Sequence, residues 1–125
     1  MDMKKRVMIV DDSKIMCKRI AGFLENSDFE VAGFCHSGEE AVAQYPVLQP
    51  DVVTMDVVMP GEDGMEAAKK IRELDPNARI LMVTSLAYDS LINEAVAIGV
   101  KSFIFKPFDR ERLLDNLIQA SADKK

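Results

Sequence analysis

The sequence predicts an α/β fold, a single doubly wound (βα)5 domain in which a parallel five-stranded sheet is covered by helices on both faces. Two observations predict it. Short continuous apolar runs, the pattern of strands buried on both faces, alternate with longer stretches whose apolar residues recur at helical spacing. Each run is closed by residues that cap helices or make turns. Five such units follow one another without repeats, linkers or low-complexity segments, and each crossover is expected to be right-handed.

The first strand is read at residues 7–10 (VMIV), with Asp12 or Ser13 as the cap of the helix that follows. Ile15, Met16, Ile20, Phe23 and Leu24 give that helix its apolar positions. A second run at 31–35 (VAGFC) leads into Ser37-Gly38-Glu39-Glu40, the pattern of a capping box, and Ala41, Val42 and Tyr45 carry the helix to Pro46. The third strand, 52–55, ends at Asp56. The turn-rich segment MPGEDG (59–64) precedes a helix over 65–74 with Met65, Ala68, Ile71 and Leu74 on one face, stopped by Asp75-Pro76-Asn77. Strand four is 80–83, followed by a helix over 89–98 with Gly99 as its C-terminal cap. Strand five is 102–105. Pro107 bars its continuation, and Asp109 opens a last helix through Leu113, Leu114, Leu117 and Ile118. One domain over residues 1–125 is expected, its core about 6–120, with 122–125 as a frayed tail.

The chain has 125 residues, 48% of them apolar, enough for one packed core. Sixteen basic residues against twenty-one acidic ones leave a net charge of −5, which argues against wrapping nucleic acid or lying on an anionic membrane. The longest uncharged run, residues 41–50, is too short to span a membrane, and the apolar stretch at 7–10 is too short for a signal-peptide core. A cytoplasmic protein is expected. Cys17 and Cys35 form no CxxC, and with the single His36 they cannot supply a four-ligand zinc site. They read as core cysteines, with Cys35 and His36 pointing to opposite faces of a strand. With one histidine and no GxSxG, GxGxxG or GxxxxGK[ST] motif, most catalytic triads and the common nucleotide-binding loops are excluded.

The chemistry gathers at the strand ends. Strand one runs into Asp11 and Asp12, strand three ends at Asp56, strand four at Thr84 and Ser85, and strand five at Lys106. In a parallel sheet these ends share one edge, the edge at which open α/β sheets bind ligands. Each residue alone could cap a helix. Together they make three carboxylates, an ammonium and a hydroxyl at one place. Carboxylates so close raise each other's pKa, and a divalent cation relieves the repulsion. All-oxygen ligands suit Mg²⁺, and a lysine and a hydroxyl opposite it suit phosphoryl oxygens. A carboxylate can itself be the nucleophile and become an acyl phosphate.

Here the sequence resembles a known family. VDDS (10–13), DVVTMDVVMPGEDG (51–64), Thr84-Ser85 and KPF (106–108) are similar to the receiver domains of two-component response regulators, above all the stand-alone CheY-like chemotaxis regulators, over roughly residues 6–118. The resemblance implies a flavodoxin-like sheet of order 2-1-3-4-5. It implies that Asp56 accepts a phosphoryl group from a histidine kinase, and that Asp11, Asp12, Asp56 and the Val58 backbone carbonyl hold Mg²⁺. Lys106 would pair with the phosphoryl group and Thr84 would move to hydrogen-bond it. Phe103 would turn inward as the switch aromatic, and Pro107 would follow a cis peptide. Phe103 lacks the hydroxyl of the tyrosine that many family members carry there, and Val58 and Leu86, which would flank the phosphoryl group, are apolar.

The expected function is a phosphorylation-activated switch, not an enzyme with a separate substrate; it would catalyse only its own phosphotransfer and self-dephosphorylation. The expected downstream partner is a flagellar motor switch or a phosphotransfer protein, bound by a monomer. The alternatives are a phosphorelay intermediate, the isolated receiver of a longer regulator and, more distantly, a Mg²⁺-dependent aspartyl-phosphate phosphatase. The Met1-Asp2 start and Lys124-Lys125 end favour a complete small protein.

Overall fold

The computed structural model describes residues 4–122 apart from 60, 62, 87 and 101. Most of the expected frayed tail, and Pro60 and Glu62 of the turn-rich segment, lie outside the described residues. Five parallel strands, β1 (Lys5–Val10), β2 (Phe29–Cys35), β3 (Val52–Asp56), β4 (Ile80–Thr84) and β5 (Ser102–Phe105), pair in the order β2-β1-β3-β4-β5. The helices between and after them are α1 (Lys14–Leu24), α2 (Gly38–Leu48), α3 (Gly64–Leu74), α4 (Asp89–Ala97) and α5 (Arg110–Ser121). This is the doubly wound order that the resemblance implies.

Strand side chains alternate between two apolar layers. Val7, Ile9, Val52, Leu81, Val83 and Ile104 meet Cys17, Ile20 and Leu24 of α1 and Leu113 and Leu117 of α5. Met8, Val10, Val53, Met55, Ile80 and Met82 face α2, α3 and Ala95 of α4. No helix among the described residues is long and apolar enough to cross a membrane.

Basic side chains from elsewhere in the chain meet the C-terminal carbonyls that several helices leave unpaired. Arg110 donates to Phe23, Glu25 and Asn26 at the end of α1; Arg6 donates to Leu48 and Gln49 at the end of α2. Arg72 of α3 donates to Ile98 after α4, and Lys5 to Ser121 of α5. Gly99, at φ +99°, lies against the Arg72 guanidinium, where a Cβ would come within 2.3 Å of Nη2.

The structure differs from the sequence reading at several points. α2 does not stop at Pro46 but continues to Leu48. Leu48 packs over Gly33, whose missing Cβ leaves the room, and Arg6 holds the last carbonyls, which offsets the hydrogen bond that Pro46 cannot make. Glu40 accepts from the His36 amide, one residue earlier than a capping box requires, while Ser37 caps α2 as expected. Ile15 is 80% exposed and Leu74 58%, because the buried stripes of their helices run through Cys17, Ile20, Leu24 and through Met65, Ala68, Ile71. β1 and β2 each begin two residues early, pairing Lys5 with Phe29 and Arg6 with Glu30.

Candidate functional site

Strand register brings the polar strand ends together. Val10 pairs with Met55, so Asp11 and Asp56 follow side by side at the C-terminal edge. Asp56 pairs with Val83, and Thr84 with Phe105, which brings Lys106 to the same edge. By strand alternation Asp11, Asp56 and Lys106 continue the rows of Ile9, Thr54 and Ile104, on the α1/α5 side. Asp11, Asp12 and Asp56 each offer an oxygen within 4.8 Å of the others. Lys106 Nζ lies 3.3 Å from Asp11 Oδ2 and 3.5 Å from Asp56 Oδ1.

Local bonding fixes each group. The Asp11 amide donates to the Cys35 carbonyl, and its own carbonyl accepts from Cys17 Sγ at 3.3 Å. Asp11 Oδ1 accepts from the Ser13 amide at 2.9 Å, and the Ser13 hydroxyl caps α1 by accepting from the Met16 amide. Asp11 is therefore buried and engaged, whereas Asp12 faces solvent. The Lys106 amide donates to the Thr84 carbonyl, and the Lys106–Pro107 peptide is cis. Beyond Asp56 the Gly64 amide donates to the Val57 carbonyl. A Cβ on Gly64 would lie 2.0 Å from the Asp56 carbonyl oxygen. The sequence analysis places Gly64 only at the end of the turn-rich segment 59–64; the close approach of its backbone to the Asp56 carbonyl has no local signal in the sequence.

Burial, and then the charge of Asp11, raise the Asp56 carboxyl to about 6, with Lys106 pulling the other way. Burial and Asp11 push the Cys17 thiol up to about 11, so it stays neutral. Three carboxylates against one ammonium leave an excess of negative charge, and all donors are hard oxygens, so the residues present fit a small divalent cation.

Thr84 is buried, and its Oγ1 accepts from the Leu86 amide at 2.9 Å. Phe103 is half-buried and packs against the layer formed with α2, α3 and α4. Val58, two residues past Asp56, is 56% exposed, and Leu86 is half-buried. α4, which follows Thr84, is the least anchored helix: Tyr88 at its start makes no side-chain cap, and Ala95 is its one buried residue.

The response regulator receiver domain family matches residues 7–118. The chain is 40% identical over 119 residues to the chemotaxis protein CheY of Thermotoga maritima, covering 95% of this chain and 99% of that one. In the solved CheX–CheY–BeF3–Mg²⁺ complex of Borrelia burgdorferi the matching chain has a TM-score of 0.92 and 32% identity, over 97% of this chain and 92% of that chain. The response regulator domain of Thermotoga maritima CheB matches with a TM-score of 0.88 and 35% identity, over 97% of this chain and 99% of that chain.

Proposed function

The chain belongs to the response regulator receiver domain family, and we propose that it works as a CheY-like chemotaxis regulator, phosphorylated on Asp56 by a histidine kinase in the cytoplasm. The observation that carries this reading is the convergence of Asp11, Asp12, Asp56 and Lys106 at one sheet edge. An Asp56 carboxylate oxygen attacks phosphorus, the P–N bond to the donor imidazole breaks, and that nitrogen leaves with the electron pair and takes up a proton. Lys106 offsets the charge gathering on the phosphoryl oxygens and holds the product. Asp11, Asp12, Asp56 and the Val58 carbonyl would hold Mg²⁺, which when bound adds positive charge at those oxygens.

Asp12 is the exposed carboxylate, while both oxygens of Asp11 already have partners. Asp12→Ala is therefore expected to weaken Mg²⁺ binding by about tenfold or more, as loss of one of few protein carboxylates should. Calorimetric titration checks this; binding as tight as the parent's would remove Asp12 from the metal set.

The phosphoryl group can shift the conformation only through contacts that differ between states. Thr84 supplies one by exchanging its Leu86 amide bond for a phosphoryl oxygen, and the lightly anchored α4 and Phe103 respond. Thr84→Ala should still accept phosphate but lose most of the amide chemical-shift change in α4 and β5 on beryllofluoride addition. Equal changes in parent and variant would show that Thr84 is not the coupler.

Val58 and Leu86 flank the approach of water to phosphorus and cannot orient it. Because positioning a water is worth a large factor in rate, Val58→Asn/Leu86→Glu should shorten the phosphoryl lifetime several-fold. Decay as slow as the parent's in labelled protein would leave these side chains without a kinetic role.

The function itself is tested in two steps. Incubation with acetyl phosphate and Mg²⁺ should add one phosphoryl group per chain; sustained turnover of small phosphate esters would favour a phosphatase. Capture from lysate with beryllofluoride-loaded protein should then retain flagellar switch proteins; retention of a phosphotransfer protein alone would make the chain a phosphorelay intermediate.

A further inference from the structure

We propose that Arg110 is a positioning residue for Lys106: its grip on the end of α1 sets where the Lys106 ammonium stands relative to Asp11. The inference rests on the reading of Asp56 as phosphoacceptor. Arg110 is the first residue of α5, four residues after Lys106. Its Nε donates to the Phe23 carbonyl at 3.0 Å, and its Nη2 to the carbonyls of Glu25 at 3.0 Å and Asn26 at 3.4 Å. α1 has no basic residue in its last turn, so this guanidinium meets the negative end of the helix. Phe108 adds an edge-on contact with Phe23, ring centroids 6.3 Å apart.

The other end of α1 is tied to the site. Ser13 caps the helix, and its amide holds Asp11 Oδ1. The 11 residues of α1 make a stiff strut about 16 Å long. Asp11, α1, Arg110, the 106–110 turn and Lys106 thus form a closed ring, completed by the 3.3 Å contact between Lys106 Nζ and Asp11 Oδ2. A lysine ammonium on a flexible stem has little geometry of its own, so the ring supplies it. With the grip removed, the 106–110 turn can move off α1, and small misplacements of a charge-stabilising group cost rate.

The test measures phosphorylation of the full chain by acetyl phosphate at saturating Mg²⁺, followed by intact mass. Arg110→Ala should slow uptake about fivefold, Arg110→Lys should recover about half of that loss, and Mg²⁺ affinity should move by less than about twofold. The decisive arm is the Lys106→Met background, where Arg110→Ala should have almost no further effect, because a residue acting through Lys106 has nothing left to position. Equal slowing in both backgrounds, or unchanged uptake by Arg110→Ala in the parent, would overturn the proposal. A parent chain that takes up no phosphoryl group would instead remove the phosphoacceptor reading beneath it.

Discussion

Asp56→Asn is expected to make the metal-free protein more stable at pH 7 by about 1–2 kcal/mol. The Asp56 carboxyl is buried beside Asp11, and its pKa rises from 3.8 to about 6 on folding. Folding therefore favours its protonated form. Between about pH 4 and 6 the folded state binds more protons at this site than the unfolded chain, so stability falls as pH rises through that window and stays lowered above it. Two pKa units correspond to about 3 kcal/mol at most. The substitution also takes a charged partner from Lys106, which trims the gain. Denaturant unfolding without metal at pH 4 and pH 7 should show parent and variant close at the lower pH and separated at the higher. A variant less stable than the parent at pH 7 would mean that Asp56 is not an electrostatic burden to the folded chain.

Gly64→Ala is the substitution with the largest expected structural cost. The new Cβ would stand 2.0 Å from the Asp56 carbonyl oxygen and 2.8 Å from the Val57 Cα, both backbone atoms that no rotamer change can clear. Either the first turn of α3 moves or the strand end carrying Asp56 moves. A forced backbone shift in packed surroundings costs about 3 kcal/mol, or roughly 10 °C in Tm for a domain of this size. Because the displaced segment is the one that presents Asp56, Mg²⁺ affinity and phosphorylation should fall too, even in the fraction that remains folded. Gly22→Ala is the control, since nothing lies within 4 Å of a Cβ there. Thermal melts of the two variants check the contrast; equal melting would show that the approach of Gly64 to the strand is relaxed at no cost.

The five βα units were legible because each strand is an apolar run that stops at a polar residue, and the stops of strands one, three, four and five make the candidate site. Asp11, Asp56, Thr84 and Lys106 are where the apolar runs end, although Asp11, Asp56 and Thr84 are themselves buried, so reading the runs also read the cluster. The strand order was not legible from the pattern, since each strand reads as a short apolar run and nothing in the runs says which pairs with which; it came from the resemblance. Lys5 and Arg6 fall outside the apolar run at 7–10 but begin β1, and each sends its side chain to a helix end that comes close only in the fold. The same reason hid Arg72 and Arg110, whose carbonyl partners lie far along the chain or across a loop. Pro46 marks a helix end by local propensity alone, but the seat of Leu48 against Gly33 carries the helix past it.

The central claim is that Asp56 is the group that takes the phosphoryl. The most direct measurement is intact mass and peptide mapping after acetyl phosphate and Mg²⁺, on the parent and on Asp56→Asn. The parent should gain one acid-stable, base-labile phosphoryl group on the peptide containing Asp56, and the variant none. Full labelling of Asp56→Asn would place the acceptor elsewhere and contradict the account.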